Sequence, residues 1–221
     1  MTPSSICLLY TSEEQRANPE ALLKQIKREQ EFKNCGRLRI FFGYAAGVGK
    51  TYAMLDSAHL AKKQGLDVVV GYVEPHTRPE TTAMLEGLEQ LPPKKIRYKN
   101  MTLNEFDLDA ALKRHPQIIL VDELAHTNAE GLRHIKRWGD VEELLRAGID
   151  VYSTLNVQHL ESLNDIVASI TGITVSERVP DKVFDNADFV ELVDIEPDDL
   201  IERLKSGRIY REGQALSLIH I

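Results

Sequence analysis

The stretch RLRIFFGYAAGVGKTYAML, residues 37–55, decides the fold of this chain. Residues 37–42 are strand formers, residues 43–51 are rich in glycine, and residues 52–64 have a helical pattern that ends before Gly65. A glycine-rich turn between a strand and a helix directs backbone N–H groups toward an anion at the start of the helix. The stretch therefore predicts a phosphate-binding loop between a buried strand and a helix.

The second half of this turn contains the residue types that phosphate binding requires. Small residues let successive N–H groups turn inward, a lysine reaches the β- and γ-phosphates, and a hydroxyl ligates Mg²⁺. The residues in those roles are Gly47, Val48, Gly49, Lys50 and Thr51. The chain contains no NKxD pattern for guanine. The sequence thus predicts that ATP binds here together with Mg²⁺.

The first half of the turn departs from the full pattern GxxxxGK[ST]. That pattern puts glycine at position 44, whereas this chain has Tyr44 there and its glycine one residue earlier, at Gly43. The departure leaves a second interpretation open, in which the domain keeps the fold but binds partners without nucleotide.

A second motif follows the turn by about 70 residues. The apolar run at 117–121 is typical of a strand buried on both faces, and Asp122 and Glu123 follow it directly. In nucleotide-hydrolysing P-loop proteins, a carboxylate at this place holds Mg²⁺ and a neighbouring one activates water. We therefore expect Asp122 and Thr51 to hold Mg²⁺ with the nucleotide, and Glu123 to be the catalytic base.

The rest of the chain alternates between predicted strands and helices. Apolar runs predict further strands at 67–73, 150–155 and 189–195, and the intervening segments predict helices at 81–90, 103–114, 141–147, 159–170 and 197–206. Uninterrupted apolar runs are typical of parallel strands covered on both faces. The predicted fold is therefore α/β, a three-layer, doubly wound, mainly parallel sheet of about five strands, like that of P-loop NTPases.

Domain organisation is expected to be simple. A single nucleotide-binding domain is predicted over residues 17–212, and it includes an N-terminal amphipathic helix that the pattern indicates within 13–36. Residues 1–16 are interpreted as a foreign or disordered end, and residues 213–221 as a truncated or foreign tail.

Composition limits the class of partner. The 221 residues include 34 acidic and 27 basic side chains, so the net charge of −7 argues against nucleic acid as a partner. The two cysteines, Cys7 and Cys35, predict neither a disulfide framework nor a zinc cluster. No apolar run approaches the roughly 18 residues of a membrane span. The sequence predicts a cytoplasmic domain that does not itself insert into a membrane.

Further polar residues follow strands at the same predicted edge of the sheet. Asn156 and Gln158 follow the fourth strand, where they either sense a γ-phosphate or cap the next helix. Arg78 follows the second strand, in a loop that either lines the crevice or is solvated. Arg133 belongs to a basic stretch at 126–138, which we expect to fold over bound ATP as a lid, with docking on an acidic partner as the alternative.

Long segments of the chain resemble one family. They are GVGKTYAML at 47–55, VVVGYVEPHTRPET at 68–81, the run at 105–152 that begins EFDLDAALKRHPQIILVDELAHTN, and TLNVQHLESLNDIVASITGITVSERVPD at 154–181. They are similar to the N-terminal cytoplasmic region of the KdpD family of potassium-responsive sensor histidine kinases. The resemblance implies an ATP-binding regulatory domain whose partners are the remaining domains of a membrane sensor kinase. In that family the nucleotide-binding motifs correspond to Gly47, Gly49, Lys50, Thr51 and Asp122.

Three functions compete at this point. The first is the regulatory ATP-binding module of a two-component potassium sensor, with at most slow ATP hydrolysis by this chain. The second is a stand-alone P-loop ATPase or small-molecule kinase, for which Glu123 is the motivating residue. The third is an interaction module without nucleotide binding, for which Tyr44 is the motivating residue.

Overall fold

The computed structural model describes residues 35–74, 79–98 and 101–205. The strands in these ranges are β1 Leu38–Gly43, β2 Val68–Tyr72, β3 Glu89–Gln90, β4 Lys94–Tyr98, β5 Met101–Glu105, β6 Ile118–Val121, β7 Asp150–Asn156 and β8 Phe189–Leu192. The helices in the same ranges are α1 Lys50–Lys63, α2 Pro79–Leu85, α3 Leu108–Arg114, α4 Arg137–Arg146, α5 Glu161–Thr171, α6 Asp181–Asp185 and α7 Pro197–Lys205, and a 3-10 turn lies at Val157–His159. None of the helices in the described ranges is long and apolar enough to cross a bilayer.

Three sequence-based expectations fall outside these ranges. The helix predicted at 13–36 lies almost entirely outside the described residues, as do the end segments predicted at 1–16 and 213–221. Arg78 also lies outside them. These expectations stay predictions.

Six strands form one parallel sheet in the order β3-β2-β6-β7-β1-β8. Every residue of β2 and of β6 is buried, which explains why both sequences are uninterrupted apolar runs. The remaining two strands, β4 and β5, form a separate antiparallel pair. The predicted α/β class with a doubly wound parallel sheet is confirmed, with six strands where about five were expected.

Two apolar cores cover the two faces of the sheet. Successive side chains of β6 enter different cores, Ile119 in one and Leu120 in the other. The first core includes Val141 of α4 and Val183 of α6, and the second includes Met54 of α1. After β1 the chain crosses the sheet toward β2, and after β7 it crosses in the opposite direction toward β8. Because such crossovers are right-handed, helices that follow the two strands lie on opposite faces of the sheet. The connections after these two neighbouring strands therefore leave toward opposite faces and open a crevice at their carboxyl ends.

Two predicted helices are wrong in extent. Residues 101–105 form β5, which pairs with β4, so the helix predicted at 103–114 begins only at α3. Asp107 starts that helix, since its carboxylate accepts a hydrogen bond at 3.1 Å from the backbone N–H three residues on. The helix predicted at 81–90 ends at Leu85, and the chain then forms the edge strand β3.

Candidate functional site

The carboxyl ends of three neighbouring strands bring the main predicted residues to one edge of the sheet. β1 pairs with β7 so that Gly43 lies beside Asn156, and β7 pairs with β6 so that Ser153 lies beside Val121. The loops after β1, β6 and β7 therefore emerge side by side, with β7 in the middle. This is the crevice in which open parallel sheets bind ligands.

The predicted phosphate-binding loop, residues 44–49 between β1 and α1, is called the phosphate loop below, and it has the backbone that its glycines predict. Gly47 and Gly49 have φ angles of 90° and 110°, in the region that a side chain disfavours. Lys50 is only 8% exposed, and its Nζ donates a hydrogen bond to the carbonyl oxygen of Ala45 at 2.7 Å. The ammonium group therefore lies against the loop backbone, where the motif requires a cation for phosphate.

One buried carboxylate joins the start of α1 to the end of β6. Asp122 is 1% exposed, and its Oδ2 accepts a hydrogen bond from the hydroxyl of Thr51 at 3.3 Å. Its Oδ1 accepts from the hydroxyl of Thr154 and from the backbone N–H of Glu123. Three donors from three different parts of the chain therefore fix the orientation of this carboxylate.

Thr51 and Asp122 fit a Mg²⁺ ion that arrives with a nucleotide. Mg²⁺ takes one or two protein oxygens and completes its octahedron with phosphate oxygens and water. Across 35–74, 79–98 and 101–205, no group of three or more His, Cys, Asp or Glu side chains could hold a metal ion. Thr51 and Asp122 offer two oxygens, so an ion held here would complete its shell with water or phosphate oxygens.

Glu123 lies beside this carboxylate in a strained backbone conformation. Its φ is 57°, which is costly for a residue with a side chain and clusters at functional sites. Its N–H donates to Asp122 Oδ1 and to Thr154 Oγ1, both at 3.1 Å, and these bonds hold the turn. Burial, and then the charges of Asp122 and Glu74, raise the pKa of Glu123 to about 7. A carboxyl group with this pKa accepts a proton near neutral pH.

A fully buried arginine holds the chain directly after β6 in place. Arg137, the first residue of α4, is 0% exposed, and its Nη1 donates to the backbone carbonyl of Asp122 at 3.0 Å. Its Nη2 donates to Glu105 at 3.4 Å, and its guanidinium carbon lies 4.2 Å from the ring centre of Tyr72. The backbone that carries both candidate site carboxylates is thus tied to β2, β5 and α4 through one side chain.

The partner of this arginine is itself buried and well bonded. Glu105, at the end of β5, is within 3.2 Å of His126 Nε2 and accepts a hydrogen bond from the backbone N–H of Ala129 at 3.1 Å. Burial acts to raise the pKa of Glu105, but the hydrogen bond from His126 and the charges of His126 and Arg137 outweigh it, so that its pKa lies below the usual value. Sequence reasoning missed Glu105 and placed Arg137 only in a basic stretch. No local pattern marks either residue.

The two polar residues after β7 differ in their surroundings. Asn156 ends the strand that separates β1 from β6, and its Oδ1 is buried without a hydrogen-bond partner among the described residues. Its side chain makes no capping bond to the 3-10 turn. Gln158 lies within that turn, and its backbone carbonyl accepts a hydrogen bond from Asn164 at 2.7 Å. Of the two, Asn156 presents an unsatisfied polar atom at the crevice edge of the sheet.

Arg133 is placed against two helices. Its guanidinium forms ion pairs with Asp109 of α3 and with Glu143 of α4. Its side chain is 47% exposed. The lid that we expect from residues 126–138 would require this arginine to exchange those two carboxylates for a phosphate.

Comparison with known proteins identifies the family. A family model described as the osmosensitive K⁺ channel His kinase sensor domain, KdpD, matches residues 34–220. The sensor protein KdpD of Clostridium acetobutylicum is 62% identical over 200 residues, a match that covers 90% of this chain and 22% of that protein. The sensor protein KdpD of Escherichia coli is 58% identical over 200 residues with the same two coverages. The putative sensor protein KdpD of Synechocystis is 52% identical over 179 residues, which is 81% of this chain and 48% of that protein.

These matches cover most of this chain but only part of each relative. The chain spans 22% of the length of the first two relatives. The range that the family model matches, residues 34–220, contains the phosphate loop, β6 and the two carboxylates after it. This chain belongs to the KdpD family of osmosensitive potassium channel histidine kinase sensor domains.

Proposed function

We propose that this chain is an ATP-binding regulatory domain of a two-component, osmosensitive potassium sensor histidine kinase, and that it modulates signalling to a potassium-uptake operon. One observation carries the proposal. The hydroxyl of Thr51, directly after the lysine of the phosphate loop, donates to the buried carboxylate of Asp122 at 3.3 Å. A hydroxyl and a carboxylate in contact beside a lysine are the protein groups that P-loop proteins use for Mg²⁺ and nucleotide phosphates.

Each residue has one task in this proposal. The backbone of residues 47–51 and the ammonium group of Lys50 bind the phosphates, while Thr51 and Asp122 hold the Mg²⁺ that neutralises them. The side-chain NH₂ of Asn156 donates to the γ-phosphate, or its unsatisfied Oδ1 accepts a hydrogen bond from a water molecule beside it. The order of the strands supports these assignments, because Asn156 ends β7, which lies between β1 and β6.

A titration of the wild-type chain with ATP and Mg²⁺ by calorimetry tests nucleotide binding. We expect binding that Lys50→Ala weakens by at least about a hundredfold, because charge-assisted hydrogen bonds to phosphate are lost. Lys63→Ala, at the exposed far end of the same helix, is the matched control and should bind like the wild type. Circular dichroism should show that Lys50→Ala keeps its fold. Unchanged affinity in a folded Lys50→Ala variant would remove this residue from the site.

A stand-alone P-loop ATPase or small-molecule kinase is the second candidate. The observation that favours it is Glu123, whose pKa of about 7 suits a general base. In the regulatory proposal the same carboxyl group supports only slow hydrolysis, which lets a bound state persist.

A phosphate-release assay separates these two candidates once binding is established. Slow release that disappears in Glu123→Gln agrees with the regulatory domain, and rapid turnover favours the second candidate. Release that is the same in Glu123→Gln would show that another group activates the water. A wild-type chain that binds no nucleotide at all would instead favour the interaction module that Tyr44 motivates.

A further inference from the structure

The chain that follows β8 lies against the phosphate loop. We call residues 193–205, which end with α7, the strap. The backbone N–H of Val193 donates to the carbonyl oxygen of Phe42 at 2.7 Å. The carbonyl oxygen of Val193 lies 2.9 Å from the position that a Cβ on Gly43 would occupy. The strap therefore begins so close to the loop that position 43 has no room for a side chain.

The strap also explains the residue that departs from the phosphate-loop pattern. The hydroxyl of Tyr44 donates to the carbonyl oxygen of Ile195 at 3.0 Å. Burial, and then the charges of Asp194 and Glu196, raise the pKa of this hydroxyl, which keeps it a donor. Glycine at position 44 would lack this contact. The tyrosine thus replaces the usual glycine at a point where the loop meets the strap.

A second contact reaches the centre of the loop. Nη1 of Arg203, on α7, donates to the carbonyl oxygen of Gly47 at 3.1 Å. The same nitrogen lies 4.0 Å from the position of a Cβ on Gly49. The guanidinium group therefore lies at the two glycines whose left-handed backbone shapes the phosphate-binding turn, and it brings a positive charge to that turn.

We propose that Tyr44 and Arg203 are positioning residues that couple the strap to the occupancy of the phosphate loop. The contacts of Tyr44 and Arg203 hold the backbone of the loop in place. An anion bound in the loop stabilises the same contacts, and so the position of the strap, because coupling between two sites is reciprocal. The anion is the phosphate chain of a nucleotide, so this part of the inference rests on the proposed function. α7 then reports whether the loop is occupied.

The first test needs no nucleotide. Hydrogen exchange is compared at two bonded amides that border the loop, those of Ala53, which donates to Gly49 at 2.9 Å, and of Val193, which donates to Phe42 at 2.7 Å. The proteins compared are the wild type, Tyr44→Phe, Arg203→Ala and a control. Arg146→Ala is the matched control, because Arg146 is an exposed arginine at the far end of α4 that pairs with Glu142. Faster exchange of these two amides in Tyr44→Phe and Arg203→Ala, with unchanged exchange in the control, is the expected result. Unchanged exchange in both would overturn the positioning role.

The second test measures coupling. ADP and a non-hydrolysable ATP analogue, each with Mg²⁺, are titrated by calorimetry. We expect Arg203→Ala to bind about tenfold more weakly than the wild type, Arg203→Lys to recover part of the loss, and Arg146→Ala to match the wild type. In the wild type the nucleotide should slow hydrogen exchange at 193–205, and in Arg203→Ala it should not. A purely structural arginine would lower the melting temperature without changing this nucleotide response.

The outcomes separate this inference from the proposed function. Nucleotide binding that is equal in wild type and Arg203→Ala, with equal protection of the strap, overturns the coupling and leaves the proposed function standing. Absence of binding in the wild type overturns the proposed function together with the coupling, and the nucleotide-free exchange still decides whether the strap positions the loop.

Discussion

Two loops at the carboxyl edge of the same sheet are stabilised in opposite ways. The segment between β6 and α4, residues 122–136, is bonded to itself: the N–H of Asn128 donates to the carbonyl oxygen of Ile135 at 2.9 Å, and its side chain donates to the carbonyl oxygen of His134 at 2.9 Å. The phosphate loop, by contrast, receives hydrogen bonds from or makes them to a distant part of the chain: the hydroxyl of Tyr44 donates to Ile195 at 3.0 Å, and Arg203 donates to Gly47 at 3.1 Å. The phosphate loop depends instead on contacts from α7 and the rest of the strap.

This difference suggests different roles for the two loops: the 122–136 loop holds the site carboxylates, and the phosphate loop responds to ligand. A loop with its own hydrogen bonds and a buried arginine beneath it holds Asp122 and Glu123 in one arrangement, as a preorganised site requires. A loop that is held by a distant part of the chain changes its conformation when that part moves. We therefore expect substitutions of residues that support the 122–136 loop, such as Arg137, to affect the free energy of unfolding. Substitutions of residues that contact the phosphate loop should affect ligand binding.

The largest effect on stability is expected at Arg137. Arg137→Met should lower the free energy of unfolding by about 3–5 kcal/mol, because it leaves the Glu105 carboxylate buried without one of its cations. Glu105 has a side chain that is only 5% exposed. Urea unfolding followed by circular dichroism measures the change.

An exposed arginine at the other end of the same helix provides the control for this experiment. Arg146→Met breaks an i,i+4 pair with Glu142 and should cost no more than about 0.5 kcal/mol. A loss below about 1 kcal/mol in Arg137→Met would contradict the idea that this arginine supports the strand end.

Some of these features could be predicted from the sequence and others could not. Lys50, Thr51 and Asp122 follow from residue type and spacing, since phosphate and Mg²⁺ accept few kinds of ligand. The contact of Arg137 with Glu105 spans 32 residues and that of Arg203 with Gly47 spans 156. Such long-range partners leave no periodic signal in a single sequence.

The same contrast applies to secondary structure. β2 and β6 could be predicted because both faces are buried and their apolar runs are uninterrupted. β5 could not, because four of its five residues are exposed or half-buried, so that no apolar pattern distinguishes the hairpin from a helix. Tertiary pairing with β4 decides the conformation there.

A smaller effect is expected at Glu123, and it depends on pH. The pKa of this carboxyl group is raised from 4.5 to about 7 in the folded chain. Between these values the folded state binds more protons than the unfolded state, so the contribution of Glu123 to stability falls as the pH rises. Glu123→Gln removes this dependence and should make the chain more stable than the wild type by up to about 3 kcal/mol at pH 8.

Unfolding curves of both proteins from pH 5 to pH 8 measure this difference. The variant and the wild type should diverge from pH 5 to about pH 7, with the smallest difference at pH 5, and the difference should level off toward pH 8. Glu130→Gln, an exposed residue of the same loop, should follow the wild type. Curves for wild type and Glu123→Gln that stay parallel would show that the carboxyl group of Glu123 titrates normally.

The smallest effect is expected at Arg133, and it decides which arginine responds to nucleotide. Its guanidinium is held by Asp109 and Glu143 at an exposed position, so Arg133→Ala should cost at most about 1 kcal/mol of stability. If the strap is the responsive element, the same variant should change nucleotide affinity by about twofold or less, whereas Arg203→Ala weakens it about tenfold. If residues 126–138 close over ATP as a lid, the order reverses: Arg133→Ala is the variant that loses affinity, and nucleotide slows hydrogen exchange across that stretch. The two hypotheses therefore predict opposite orders of nucleotide affinity for Arg133→Ala and Arg203→Ala. Calorimetry and hydrogen exchange on both variants show whether residues 126–138 or the strap respond to nucleotide.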